Sequence, residues 1–296
     1  MSHFLKPFLS LLVLLVAQSS AGSQSIRLEA YGDSLTAGFV SQTNVTNVPS
    51  IKPISVMLSK MMMFHLSNDL KYVAPYSRKD LSWFHHVATE VAKNYEIAGF
   101  LNFAVPKHHS YHLPGQVSRA GATKDRTIAF FFVGHNDLLQ NYNEPSDIAK
   151  EFMANISAAA KKWDSLHEGS TLYLLPVGSI HQVFKILSGY VWYETDQGQY
   201  QCEDSWQKLF VYARWYHELY KQGRLESVLE PRIAAMNQSL RSYPHQWESK
   251  RQNEVVYVPQ MENITYLPEY FAVDCFHLSA KGQHEMGELL LRELKF

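Results

Sequence analysis

The chain has little excess charge of either sign. Its 27 Lys and Arg face 28 Asp and Glu, a formal net charge of −1, which argues against a nucleic acid as partner. No run of Lys and Arg marks a site for an anionic membrane surface. Beyond the first twenty residues no stretch is long and apolar enough to span a bilayer. Internal repeats, low-complexity tracts and Pro/Gly/Ser linkers are absent too, so residues 22–296 read as a single domain. Cysteine is scarce, with only Cys202 and Cys275.

What is present begins with a leader. His3 and Lys6 give a weakly basic start, Phe8 to Ala17 is an apolar run too short for a bilayer, and Ser19-Ser20-Ala21 supplies small residues for cleavage. Residues 1–21 are therefore expected to be a signal peptide, and the mature protein secreted (extracellular, or periplasmic in a bacterium). In an oxidising compartment Cys202 and Cys275 favour a bridge, with two buried free thiols as the alternative. Asn44, Asn155, Asn237 and Asn263 each open an Asn-x-Ser/Thr triplet, so glycans, and hence exposure, are expected at these four positions in a eukaryotic secretory protein.

Periodicity points to alternating strands and helices. Strands are expected at Ile26–Tyr31, Phe100–Val105, Thr127–Val133, Thr171–Val177 and Val255–Val258. The third is an unbroken apolar run, as in a strand covered on both faces. Helices are expected at Leu81–Asn94, Pro145–Leu166, Asp204–Gln222, Leu225–Leu240 and Ala280–Leu294, where apolar residues recur three and four apart. The order implies a parallel sheet with helices on both faces. The stretch from Ser179 to Cys202 is longer than an ordinary loop and is expected to cap the ligand-binding end.

Three blocks carry chemistry. Tyr31-Gly32-Asp33-Ser34-Leu35-Thr36-Ala37-Gly38 follows the first strand, Gly134-His135-Asn136-Asp137 follows the third, and Asp274-Cys275-Phe276-His277 precedes the last helix. A serine hydroxyl needs a base to take its proton and donors to hold the oxyanion it creates. His277 suits the base, Asp274 three residues earlier can orient it, and the Asn136 amide and the Ser34 N–H are candidate oxyanion donors. In this order the blocks resemble the SGNH (GDSL) hydrolase family. Lys79-Asp80-Leu81-Ser82-Trp83, Asn102-Phe103-Ala104-Val105 with Leu113-Pro114 and Gln116, and Asp274 to Ser279 with Lys281-Gly282 are similar to its phospholipase B branch.

The resemblance implies a three-layer α/β/α sandwich of the SGNH hydrolase (flavodoxin-like) type with a five-stranded parallel sheet. It implies a secreted or membrane-attached esterase acting on acyl esters of phospholipids and lysophospholipids, with Ser34, Asp274 and His277 catalytic and no metal or other cofactor. Ser34, Lys107 and Asn136 would form the oxyanion hole. Lys107 stands where the family has glycine; if that position needs φ > 0, lysine is strained there by roughly 1–2 kcal/mol. That departure keeps two alternatives open, a short-chain (acetyl) carbohydrate esterase and a catalytically impaired binding protein on the same scaffold. The partner expected is a lipid or other acyl ester, with transient contact at a membrane surface. His108, His109 and His112 are weak metal candidates for want of an acidic partner. The methionine-rich stretch Met57 to Phe64 is either an acyl-receiving segment at the mouth of the site or an amphipathic core helix.

Overall fold

The computed structural model describes residues 25–39, 41, 79–139, 144–195, 198–208 and 211–294. The leader, the triplet at Asn44 and the methionine-rich stretch lie outside the described residues. In chain order the elements are β1 (Ile26–Gly32), α1 (Trp83–Val91), β2 (Ile97–Asn102), α2 (Leu113–Val117), β3 (Arg126–Phe132), α3 (Pro145–Asp164), β4 (Thr171–Leu174), α4 (Ile180–Leu187), β5 (Val191–Thr195), β6 (Gly198–Gln201), α5 (Cys202–Lys208), α6 (Val211–Lys221), α7 (Leu225–Ser242), β7 (Glu254–Tyr257) and α8 (Ala280–Leu291).

Five of the strands form one parallel sheet in the order β2-β1-β3-β4-β7, with helices on both sides. Every residue of β3 after Arg126 is buried, as its apolar run requires. Phe130 and Phe132 meet Trp83 of α1 edge-on, while Phe131 between them stands edge-on to Tyr31 of β1. Helix α8 packs on α1, and α3 packs on α7. Because the strand order turns both ways from β1, the chain ends leaving β1 and β3 face the crevice at the carboxyl edge of the sheet, where open α/β sheets bind ligands.

β1 ends at Gly32, where no larger residue fits: a Cβ there would lie 2.0 Å from the Phe132 carbonyl oxygen. This close approach lets the chain after β1 turn at the end of β3.

The elements differ from the sequence expectation in several places, among them β4, which stops at Leu174 rather than Val177, and α1, which spans Trp83–Val91 rather than Leu81–Asn94. β2 runs from Ile97 to Asn102 rather than Phe100 to Val105. Asn102 stops it, because its side chain donates to Thr36 O at 2.8 Å and accepts from Ala104 N at 3.1 Å, drawing the chain off the ladder. As a sheet edge β2 also leaves Phe100 and Leu101 exposed. The stretch from Ser179 to Cys202, to which periodicity assigns no element, holds α4 and the antiparallel β5–β6 hairpin. Over the expected helix Asp204–Gln222 the described residues form α5 and α6, and residues 209–210 between them lie outside the described residues.

Candidate active site

Ser34 lies in the turn that leaves β1, and several side chains fix that turn. The Asp33 carboxylate is fully buried and accepts from Leu35 N at 3.0 Å. Thr36 Oγ1 donates to Phe132 O. Gln116, from α2, accepts from Gly32 N and donates to Gly32 O, both at 2.8 Å. Gln283, from α8, accepts from Trp83 N at 2.9 Å and donates to Leu35 O at 3.0 Å. The backbone on both sides of Ser34 is thus anchored to helices on which it has no sequence neighbour.

His277 meets this turn from a closed loop. Phe271 bridges Leu278, and Ala272 N donates to His277 O at 2.8 Å, so Asp274 and His277 project from a hairpin-like bend. Cys275 within it pairs with Cys202 at the start of α5, with Cα atoms 5.4 Å apart and a sequence separation of 73. The Trp206 indole N–H donates to the Cys275 carbonyl at 2.9 Å, a second tie between α5 and the bend.

Within this frame His277 Nε2 lies 2.8 Å from Ser34 Oγ, and its Nδ1 lies 2.7 Å from Asp274 Oδ2. The other carboxylate oxygen accepts from Phe276 N and His277 N, each at 3.0 Å. Burial opposes ionisation of Asp274, but the His277 charge, its side-chain hydrogen bond and these two backbone donors outweigh it and hold the carboxyl below its ordinary range. A carboxylate so held keeps the proton on His277 Nδ1 and leaves Nε2 to accept from the Ser34 hydroxyl. Phe39 packs against the imidazole with ring centres 4.7 Å apart.

The expected oxyanion donors lie on the neighbouring loops. Lys107 has φ 66°, the left-handed conformation that favours glycine. Its half-buried ammonium has a lowered pKa because of desolvation. Asn136 Nδ2 donates to His108 O at 2.9 Å, which ties the Asn136 turn to the Lys107 loop and leaves the second amide hydrogen for another acceptor.

Sequence reasoning expects His135 as a wall of the site but misses the supporting roles of His108 and Asp137. His108 Nδ1 accepts from Gln116 Nε2 at 2.8 Å, so the ring is neutral with its proton on Nε2. Its pKa falls to about 4, first because of burial and then because of His112, Arg119 and His109. Asp137, buried, accepts from Ser110 N and Ser110 Oγ. His135 Nε2 accepts from Gly178 N at 3.0 Å, which leaves Nδ1–H facing Asp33 Oδ2 at 3.4 Å. His135 is therefore a wall of the site with both nitrogens engaged. The one signal available was proximity in sequence to the motif blocks.

Two glycan expectations need correcting. Asn237 is buried on α7, its amide accepting from Val177 N at 2.8 Å and donating to Val177 O at 3.0 Å, so a glycan there would break the contact of α7 with the segment that follows β4. Asn155 is half-buried and its Nδ2 is directed inward to Ser110 Oγ at 3.0 Å. Asn263 is exposed. Among the three clustered histidines, His108 and His112 stack with centres 4.1 Å apart, but Gln116 occupies Nδ1 of His108 and the His109 N–H occupies Nδ1 of His112.

Beside the triad lies a cavity of about 250 Å³. Leu35, next to Ser34, and Phe276 and Leu278, on either side of His277, contribute to its wall, with Val183 of α4, Met286 of α8 and Tyr266. The lining is mostly apolar.

The profile of GDSL-like lipases/acylhydrolases matches residues 28–290. The chain belongs to this family. Acyl-ester hydrolysis is the chemistry that the family description carries, and the Ser34–His277–Asp274 geometry is compatible with it. No curated protein matches the chain in sequence. Among solved structures it is similar to TesA at 14% identity, covering 91% of this chain and 98% of that one with a TM-score of 0.47. It is similar to a psychrotrophic esterase EstA from Pseudoalteromonas sp. at 11% identity, 90% and 94% coverage and a TM-score of 0.44. An extracellular lipase from Streptomyces rimosus is similar at 13% identity, 91% and 99% coverage and a TM-score of 0.43.

Proposed function

We propose that this member of the GDSL-like family is a secreted serine esterase of the phospholipase B type, cleaving acyl esters of phospholipids and lysophospholipids. The observation that carries the reading is the continuous chain Ser34 Oγ–His277 Nε2, 2.8 Å, and His277 Nδ1–Asp274 Oδ2, 2.7 Å.

In this reading Ser34 Oγ attacks the ester carbonyl while its proton passes to His277 Nε2. Asp274 stays ionised and stabilises the imidazolium. The carbonyl oxygen becomes an oxyanion held by the Ser34 N–H, the Lys107 N–H and the free hydrogen of Asn136 Nδ2. Collapse expels the glycerol-side alkoxide, which takes the proton back from His277, and leaves an acyl-serine. Water then attacks that ester, its proton going to His277, and the fatty acid departs as Ser34 regains its hydrogen. Each oxyanion donor contributes about 3–4 kcal/mol to the barrier reduction.

The apolar cavity beside Leu35 and Phe276 favours an acyl chain over an acetyl group, because a chain buried there removes apolar surface from water. The positive φ of Lys107 does not favour the binding-protein alternative. Its strain of roughly 1–2 kcal/mol is small against the ≈ 8–23 kcal/mol by which enzymes lower barriers. Secretion is supported by the leader pattern of residues 1–21 and by the Cys202–Cys275 pair.

The test is hydrolysis of lysophospholipid, diacyl phospholipid and a short acetyl ester by wild type and Ser34→Ala. Ser34-dependent release of long-chain acid supports the proposal. Cleavage of the acetyl ester alone replaces it with the carbohydrate-esterase reading, and no turnover on any of the three favours a binding protein.

A further inference from the structure

Away from the triad, helices α1 and α8 bring three donor side chains together. His86 of α1 meets His284 and Glu288 of α8, and one potential ligand atom from each lies within 4.8 Å of the others. His86 Nε2 is 2.7 Å from Glu288 Oε1, and the His86 and His284 ring centres are 4.2 Å apart. His284 and Glu288 are four residues apart and so rise from one face of α8, one turn apart. Between them Gly287 leaves the space that His86 fills: a Cβ at that position would lie 2.8 Å from His86 Cδ2. We propose that His86, His284 and Glu288 form a surface site for a single zinc-class divalent ion that clips α1 to α8.

The donor set fits that ion class. Two imidazoles and one carboxylate are the ligands of a borderline metal such as Zn²⁺, and a tetrahedral ion keeps its fourth position for water. Adjacent ligands of such an ion lie about 3.3 Å apart, from metal–ligand distances near 2.0 Å. Rotation of exposed His284 and partly exposed Glu288 closes the remaining gap. In the other histidine cluster Nδ1 of His108 and Nδ1 of His112 already accept hydrogen bonds, and no carboxylate is among its three residues.

A clip here would act on a packing contact that reaches the active site. Gln283, one residue before His284, bonds both Trp83 N of α1 and the carbonyl of Leu35. An ion held across α1 and α8 stabilises the folded state that contains this link and not the unfolded chain. The proposal is independent of what ester the protein hydrolyses.

The experiment is calorimetric titration of ZnCl₂ into the purified full chain, stripped beforehand with EDTA, together with thermal unfolding. The expected result is one equivalent bound and a rise in Tm on saturation. His284→Gln and Glu288→Gln, both at solvent-accessible helix positions, should each weaken binding at least about tenfold and lose the Tm rise. Their Tm in EDTA should equal that of wild type, which separates lost binding from lost folding. His109→Gln should bind as wild type does. Absence of binding at about 1 mM zinc, or full binding retained by the His284→Gln/Glu288→Gln double variant, would overturn the site.

Discussion

Asn136 donates a 2.9 Å hydrogen bond to the carbonyl oxygen of His108, and through it the turn after β3 is locked to the loop that carries Lys107. The two candidate oxyanion donors beyond Ser34 are therefore not independent. Asn136→Ala removes one donor and also releases the Lys107–His108 loop. Its expected effect is a fall in kcat of at least about 10²–10³-fold, with little change in KM. Steady-state kinetics on a long-chain ester checks this; a rise in KM at unchanged kcat would assign Asn136 to ground-state binding instead.

Asp274→Asn should preserve the fold of the 271–278 bend while removing the charge that sets the His277 tautomer. An amide can donate to Nδ1, which then places the proton on Nε2 and stops it accepting from Ser34. The expected loss in kcat is about 10⁴-fold. Near-wild-type turnover by this variant would remove Asp274 from the mechanism.

Lys107→Gly relieves a left-handed lysine at φ 66°. The strain of roughly 1–2 kcal/mol is partly offset by the greater freedom of glycine in the unfolded chain, leaving a net gain of about 0.5–1 kcal/mol. The denaturant midpoint should rise and hydrolysis should persist. A lower midpoint would mean that contacts of the lysine side chain outweigh its backbone strain.

His108 links stability to pH. Its folded pKa, about 4, lies below its ordinary 6.5, so folding favours the neutral ring that accepts from Gln116. That contribution is complete above about 6.5 and is lost as pH falls toward about 4. Urea midpoints measured across this interval should drop for wild type and drop less for His108→Gln, which carries no titrating group. Parallel curves for the two proteins would count against the assignment.

The disulfide joins Cys202 and Cys275 across a sequence separation of 73. The chain-entropy model gives about 4 kcal/mol for a loop of that length. Replacing both cysteines by serine should lower the unfolding free energy by that order. It should lower kcat too, because the bend that carries His277 then keeps only hydrogen bonds to α5, from Trp206 to Cys275 O and from Ser205 to Val273 O, and local packing. Unchanged kcat with lowered stability would restrict the bridge to a structural role.

Much of the fold was legible because its causes are local. The apolar run at β3 is long and uninterrupted, and the helices Pro145–Asp164 and Ala280–Leu291 repeat their apolar residues at helical spacing. The motif blocks likewise set Ser34 and Asn136 just after strands and Asp274–His277 ahead of the last helix. Boundaries failed where side chains compete with the ladder, as Asn102 does at β2. The Ser179–Cys202 stretch shows no element in the periodicity because its short helix and hairpin draw stability from packing and pairing rather than from a long periodic pattern.

The sequence by itself determined which residue types stand where: a serine after the first strand, an acid and a histidine three apart, a lysine in place of glycine, and two cysteines. Tertiary structure decided their meaning. Ser34 and His277 are 243 positions apart in the chain and become partners 2.8 Å apart only when β1 and the 271–278 bend are brought to one edge of the sheet. It also removed meanings the sequence allowed. Asn237 satisfies a triplet rule that reads three residues, yet it is buried with both ends of its amide engaged by Val177, 60 positions away. A tripeptide cannot encode burial, because burial depends on which distant segments cover it.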